Sequence, residues 1–379
     1  MENFIAYNPT ALHFGKDVVN QLGTTITQFG KKVLLVYGKG SVKRSGLYDR
    51  VMAQLQSAGA EVIEYSGIKS NPLVKDVDAA AELGRKHQVD AILAVGGGST
   101  IDSAKIISIA IPVNHPAWDF YEGKAKPQTS IPLVAVLTLA ATGSEMNPFA
   151  VLQNPETGRK DGYGHPLLYP KHSFLDPQNT ISVPKNYTAY GIADLIAHSF
   201  ENYFGAGETT LPDRFVFGIL AEAMEYGPQL LNNLTDYTLR EKIMYAATMA
   251  LNGLTQHGKK SGDWGVHSIG HVLSLLYDIP HGASLSIAYP AWFKLHKEKA
   301  AVQIAKLGKN LFGTEDVDKT IAGFEDFFKK IECPVCLSEV NIGKQEHDKI
   351  FDYLVLNKAG GANYQLSEED YRKIIRLMA

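Results

Sequence analysis

The run Ala91-Ile92-Leu93-Ala94-Val95-Gly96-Gly97-Gly98-Ser99 decides how this chain is read. Five consecutive apolar residues describe a strand covered on both faces, as in parallel sheets sandwiched by helices. The three glycines that follow let the backbone turn tightly and approach a ligand closely. A helix then starts and runs through Asp102, Lys105 and Ile106, so its free amide groups and positive dipole end face the same turn. Strand, glycine turn and helix N-terminus together form a pyrophosphate site. The spacing is not Gly-x-Gly-x-x-Gly, so the ordinary Rossmann fingerprint is absent. A plain tight turn is the competing reading.

Outward from this stretch the pattern repeats. Apolar runs at residues 33–37, 61–65 and 131–137 read as further strands, and helical spacing covers 47–58 and 74–87. Alternating strands and helices specify an α/β domain with a parallel sheet. After Pro184 the texture changes. Residues 189–203, 214–232, 239–254, 266–277, 291–311, 321–331 and 367–377 carry apolar residues at helical spacing, and strand-like alternation is scarce. The reading is an α/β N-terminal dinucleotide-binding domain over residues 1–183, followed by an all-helical C-terminal metal-binding domain over 184–379.

The bulk composition agrees with a two-domain protein of 379 residues. A formal charge of −3 without long single-sign runs gives no footprint for nucleic acid or an anionic membrane. No stretch approaches the roughly 18 apolar residues of a membrane span, and the first nine residues do not read as a signal peptide. Two cysteines, Cys333 and Cys336, are too few for a disulfide framework and read as reduced thiols. A cytoplasmic enzyme is expected.

Two more turns resemble the first in chemistry. Gly38-Lys39-Gly40-Ser41 closes the strand at 33–37. An acidic residue at such a strand end holds the ribose 2′-hydroxyl of NAD, whereas a small or basic residue leaves room for the 2′-phosphate of NADP. Gly38 leaves that room, Ser41 can donate, and Lys39, Lys43 and Arg44 supply charge, so NADP is expected over NAD. The third turn, residues 138–145, bears Thr138, Thr142 and Ser144 behind the strand at 131–137.

The helical half carries the metal chemistry. Asp194 and His198 are four residues apart, which on a helix puts them on one face. His267 and His271 repeat the spacing, and His281 follows before Gly282. Imidazoles and a carboxylate around one divalent ion suit Fe(II) or Zn(II) with room for a substrate oxygen. Any single pair among twelve histidines is unremarkable; the argument is their accumulation in one domain. A metal in one domain and a nicotinamide in the other imply catalysis in the cleft between them.

With these motifs in order, the chain resembles the iron-containing (group III) alcohol dehydrogenases, from Phe14-Gly15 to Asp352. It looks most like the NADP(H)-dependent butanol dehydrogenase and aldehyde reductase branch. The resemblance implies metal ligation by Asp194, His198, His267 and His281, with His271 left for substrate contact or proton relay. It implies Gly96, Gly97, Gly98 and Ser99 on the pyrophosphate, Thr138 and Thr142 near ribose and nicotinamide, and Lys160 as a cofactor contact in a turn at 158–160. Many members of the family carry Asp where this chain has Gly38, a departure that again favours NADP. The expected substrate is a small alcohol or aldehyde such as butanol or butanal, and the expected assembly a homodimer or larger homo-oligomer. Two rivals are a zinc-dependent lyase of the dehydroquinate synthase type and a metallohydrolase. The first would need basic residues where Phe149, Val151, Leu254 and Trp264 stand; the second leaves three glycine and hydroxyl turns unexplained.

Overall fold

The computed structural model describes residues 1–379 and divides into two compact units. One comprises Tyr7–Val183 with Thr235–Met244; the other comprises Met1–Ala6, Pro184–Leu234 and Tyr245–Ala379.

The first unit begins with β1 (Ala11–Phe14), α1 (Leu22–Ile26), β2 (Lys32–Tyr37), α2 (Ser41–Arg44), α3 (Leu47–Ser57), β3 (Glu61–Ser66) and α4 (Val74–His87). It continues through β4 (Ala91–Gly96), α5 (Gly98–Ala110), α6 (Trp118–Tyr121), β5 (Leu133–Leu137), β6 (Phe149–Asn154), β7 (Arg159–Gly164) and β8 (His172–Leu175). Six strands form one sheet in the order β1-β8-β5-β4-β2-β3. Every neighbouring pair in it is parallel. β6 and β7 form a separate antiparallel hairpin.

The central strands alternate their side chains between two cores. Leu34, Val36, Ile92 and Ala94 pack with residues of α4 and α5. Val33, Leu35, Leu93 and Val95 pack with residues of α1 and α3. This two-sided burial is why β2, β4 and β5 read as unbroken apolar runs. α4 stops where Gln88 takes a left-handed conformation, and Arg85, Lys86 and His87 in its last turn complement the helix dipole.

The chain continues with α7 (Lys185–Tyr203), α8 (Leu211–Asn232) and α9 (Tyr237–Ala250). Then come α10 (Gly265–Tyr277), α11 (His281–His296), α12 (Ala301–Leu311), α13 (Val317–Lys330), α14 (His347–Leu356) and α15 (Glu368–Met378). There is no strand after β8. The fold is thus a parallel-sheet α/β part followed by helices, as read from the sequence. No helix is long and apolar enough to cross a membrane.

Some elements differ from the sequence reading. The expected single helix at 291–311 is two, and the first starts ten residues earlier, at His281. Pro290 lies inside α11 rather than before it. β1, β8, the β6–β7 hairpin and α14 were not anticipated. Lys160 lies in β7 rather than in a turn. Cys333 and Cys336 are both free, and burial pushes the Cys333 thiol up to about 12.

His296, the last residue of α11, is buried against Trp292 and Tyr364. Burial, with Lys299 adding repulsion and Asp370 opposing, pushes its imidazole down to about 4. The unfolded chain protonates this group near its ordinary value, so the folded state loses stability as pH falls from about 6.5 toward 4. We expect His296→Gln to remove up to about 3 kcal/mol of that acid sensitivity. Unfolding curves at pH 7.5 and 4.5 check this: an equal pH dependence in both proteins would show that His296 does not report on acid stability.

Candidate metal centre and nucleotide-binding turns

In the sheet unit, the chain goes from β2 to β3 on one side and returns across β2 to place β4 on the other. The topological switch point therefore falls between β2 and β4, and ligands bind outside the carboxyl ends of the strands at such points. Gly38 follows β2, and Ser41 is the first residue of α2. Gly96 ends β4, Gly97 caps α5, and Gly98 and Ser99 are its first residues. Thr138 follows β5, its N–H bonded to the Gly96 carbonyl. Thr142 lies in the same loop. The three turns stand side by side at one end of the sheet.

Two of the glycines are also demanded by packing. A Cβ on Gly96 would strike Thr100, and one on Gly98 would strike Thr142, whereas one on Gly97 would meet only Leu139 at 3.3 Å. No side chain caps α5, and while the Thr100 and Ile101 N–H groups donate to the Gly97 carbonyl, the amides of Gly98 and Ser99 at its start are available to an anion. Ser99 turns its hydroxyl to the Ser70 carbonyl. Gly38 is open: an added Cβ meets only the Ile68 carbonyl, at 3.5 Å.

Asp102 and Lys105 face inward rather than toward a ligand. Asp102 accepts from Ser144 Oγ and from the Val151 N–H, and Lys105 donates to Asn147 Oδ1 and the Phe149 carbonyl. Burial pushes Lys105 down to about 8, against the pull of Asp102 and Glu145. This pair ties α5 to the loop after β5 and to β6. Lys160 is buried and donates to Asn71.

In the helical unit, α7 is buried from Gly191 to Tyr203, round its whole circumference. Its polar side chains must find partners there. Ser199 bonds the Leu195 carbonyl, and Asn202 donates to the Ala250 carbonyl and Thr255. Asp194 Oδ1 has no hydrogen-bond partner. Around it stand His198 Nε2 at 3.6 Å, His267 Nε2 at 3.7 Å and His281 Nε2 at 3.7 Å. His267 Nε2 likewise lacks a hydrogen-bond partner. These separations exceed the roughly 2.7–3.2 Å of an N–H···O bond. They fall close to the roughly 3.3–3.6 Å between donors that sit about 2.0–2.2 Å from one tetrahedral ion. The donor atoms of Asp194, His267 and His281 all lie within 4.8 Å of one another. The residues present fit a divalent metal.

Close helix contacts bring them together. Asp194 and His198 are one turn apart on α7, His267 sits in the first turn of α10, and His281 is the first residue of α11. A Cβ on Gly270 would meet Ser284 Oγ at 2.8 Å, so α10 and α11 approach closely there. A Cβ on Gly282 would fall on the backbone carbonyl of Tyr190, so α11 begins hard against α7. His271, one turn beyond His267, places its ring 5.4 Å from that of His281. Trp264 puts its ring 5.3 Å from that of His267 and forms an apolar side to the cluster.

Models of two families match the chain: iron-containing alcohol dehydrogenase over residues 9–177, and the C-terminal part of the Fe-containing alcohol dehydrogenase family over residues 188–378. The chain belongs to the iron-containing alcohol dehydrogenase family. It is 41% identical to the probable NADH-dependent butanol dehydrogenase 1 of Bacillus subtilis, with 99% of each chain covered. It is 34% identical to the NADPH-dependent aldehyde reductase YqhD of Escherichia coli, with 90% of each covered. The crystal structure of NADH-dependent butanol dehydrogenase A from Thermotoga maritima matches with a TM-score of 0.97 at 38% identity, covering 100% of this chain and 99% of that one.

One buried residue of this chain is not legible in the sequence. Glu201 Oε1 lies 2.8 Å from His267 Nδ1. Burial works against a charged imidazole here, but Asp194 and Glu201 outweigh it and push His267 up to about 9. The only signal of it is the spacing from Asp194 and His198, seven and three residues before Glu201 on the same helix.

Because the obstacle to a Cβ on Gly282 is backbone, Gly282→Ala must push α11 away from α7. We expect a loss of about 1–3 kcal/mol in denaturant unfolding, with Gly38→Ala close to neutral. An unchanged midpoint for Gly282→Ala would show that the two helix ends are free to separate.

Proposed function

We propose that this protein interconverts a short-chain primary alcohol and its aldehyde, such as butanol and butanal, using NADP(H) and one Fe(II) or Zn(II) ion. The observation that carries the proposal is the buried Asp194 Oδ1 facing three imidazole nitrogens at 3.6–3.7 Å. Asp194, His198, His267 and His281 would hold the ion. When bound, the ion supplies Lewis acidity toward the oxygen of the alcohol or aldehyde, and the nicotinamide supplies or accepts the hydride.

The chain's own residues do the rest. Gly96, Gly97, Gly98 and Ser99 receive the pyrophosphate at the start of α5, and Thr138 and Thr142 line the turn beside it. Gly38 presents no carboxylate to the adenosine ribose, and Lys39 and Arg44 add positive charge nearby. Lys43 is drawn instead over the rings of Tyr37 and Tyr48, whose hydroxyls both donate to Glu64. Relatives that are 37–42% identical are named NADH-dependent and those named NADPH- or NADP-dependent are 34% identical or less, so the preference proposed here rests on Gly38. His271 stands beside His281 and carries the proton exchanged with the alcohol. Trp264 walls the cluster with apolar surface suited to a small hydrocarbon tail.

Loss of reduced-nicotinamide absorbance with butanal tests this, comparing NADPH with NADH, before and after chelation and after returning Fe(II) or Zn(II). We expect chelator-sensitive turnover, faster with NADPH. His267→Ala and His281→Ala should each lower turnover more than about 100-fold while nucleotide affinity holds; normal turnover in either removes that residue from the ligand set. Gly38→Asp should shift preference toward NADH by about tenfold or more through repulsion of the 2′-phosphate. An unmoved NADPH/NADH ratio would sink the assignment of the 2′-phosphate to this turn.

A further inference from the structure

Asp194, His198 and Glu201 follow one another at i, i+4 and i+7 on α7, within one narrow stripe of the helix. The first two present their donor atoms to the metal cluster. The third approaches His267 from the opposite edge of its ring. Glu201 is almost fully buried, and the ion pair it makes is with His267. A single oxygen, Oε1, accepts both the backbone N–H of His267, at 2.9 Å, and Nδ1, at 2.8 Å. The backbone carbonyl of Glu201 accepts from Asp263 N, just before α10 begins. The N-cap of α10, Trp264, offers no side-chain cap. Capping alone would be met locally by Ser, Thr, Asp or Asn at that position, without burying a carboxylate in a helical core.

We propose that Glu201 is the positioning residue of the metal centre. By accepting from Nδ1 it holds His267 in the tautomer whose Nε2 lone pair faces Asp194 Oδ1, and it fixes the plane of the ring. Its charge, added to that of Asp194, balances a divalent cation in a site with little access to water. The proposal rests on the metal reading above.

The test measures Zn(II) affinity of metal-free protein by competition with a chromophoric chelator. The visible spectrum of the Co(II)-loaded protein, NADPH affinity, and unfolding of the metal-free protein are followed alongside. Glu201→Gln keeps an acceptor oxygen for the His267 backbone but removes the charge. It should weaken Zn(II) binding about 10–100-fold and shift the Co(II) bands, leaving NADPH affinity and metal-free stability near those of the parent. Glu201→Ala should weaken Zn(II) at least as much. Zn(II) affinity within twofold of the parent and an unchanged Co(II) spectrum in Glu201→Gln would overturn the proposal, as would a loss confined to metal-free stability in both variants. Failure of the parent itself to take up one ion per chain, in an Asp194-dependent manner, would instead overturn the metal reading on which the proposal stands.

Discussion

One carboxylate oxygen, Asp194 Oδ1, sets the terms for the helical unit. It lies in the middle of a helix buried on all sides, without a hydrogen bond, and three imidazole nitrogens point at it from beyond hydrogen-bonding range. A buried carboxylate oxygen without a partner is destabilising by several kcal/mol, and the donor set around this one fits a divalent metal. Much of the surrounding packing serves this one chamber. Gly282 permits an approach of α11 to the α7 backbone that any side chain would prevent, and Gly270 lets α10 lie close to Ser284 of α11, near where His267 and His281 meet. Glu201 reaches the back of His267 from the helix that carries Asp194.

The sheet unit depends on a different constraint, the reversal of strand order between β2 and β4. A parallel sheet aligns all its strand ends, so turns far apart in sequence become neighbours at one edge. The glycines in those turns have two reasons to be there. Gly96 and Gly98 are required by contacts with Thr100 and Thr142, whatever binds outside. A Cβ on Gly97 would press on Leu139 at 3.3 Å, whereas Gly38 is sterically open, so packing does not demand a glycine there. Asp102 and Lys105, which the sequence puts on the helix behind the glycine turn, fasten the loop after β5 and the β6 strand onto α5.

Long, fully buried elements were legible in the sequence because both faces of each strand, or one broad stripe of each helix, had to be apolar. β2, β3, β4, α3 and α4 fall where the patterns put them. The four-residue strands β1 and β8 were not, being too short for a period to emerge. The β6–β7 hairpin is marked in the sequence only by the turn residues Asn154-Pro155-Glu156-Thr157-Gly158. The helix break after His296 is not legible because no Gly or Pro marks it, whereas Pro290 lies inside α11. Glu201 was passed over because a lone acid in a helix ordinarily faces solvent; only its burial gives it meaning.

By itself the sequence determined the element types, the glycine turns behind buried strands and the pairing of Asp194 with His198, because these follow from local periodicity and spacings within a turn or two of helix. Tertiary structure alone decided that His267 and His281, on different helices, meet Asp194 at the same oxygen, and that Glu201 stands behind one of them. It also decided that residues 235–244 join the sheet unit, where Met244 belongs to the same core as Val36 and Ile92, although they lie in the helical half of the sequence. Contacts of that kind depend on how closely two helices or a helix and a sheet can approach. That distance is set by the side chains of both partners at once, which no single stretch of sequence contains.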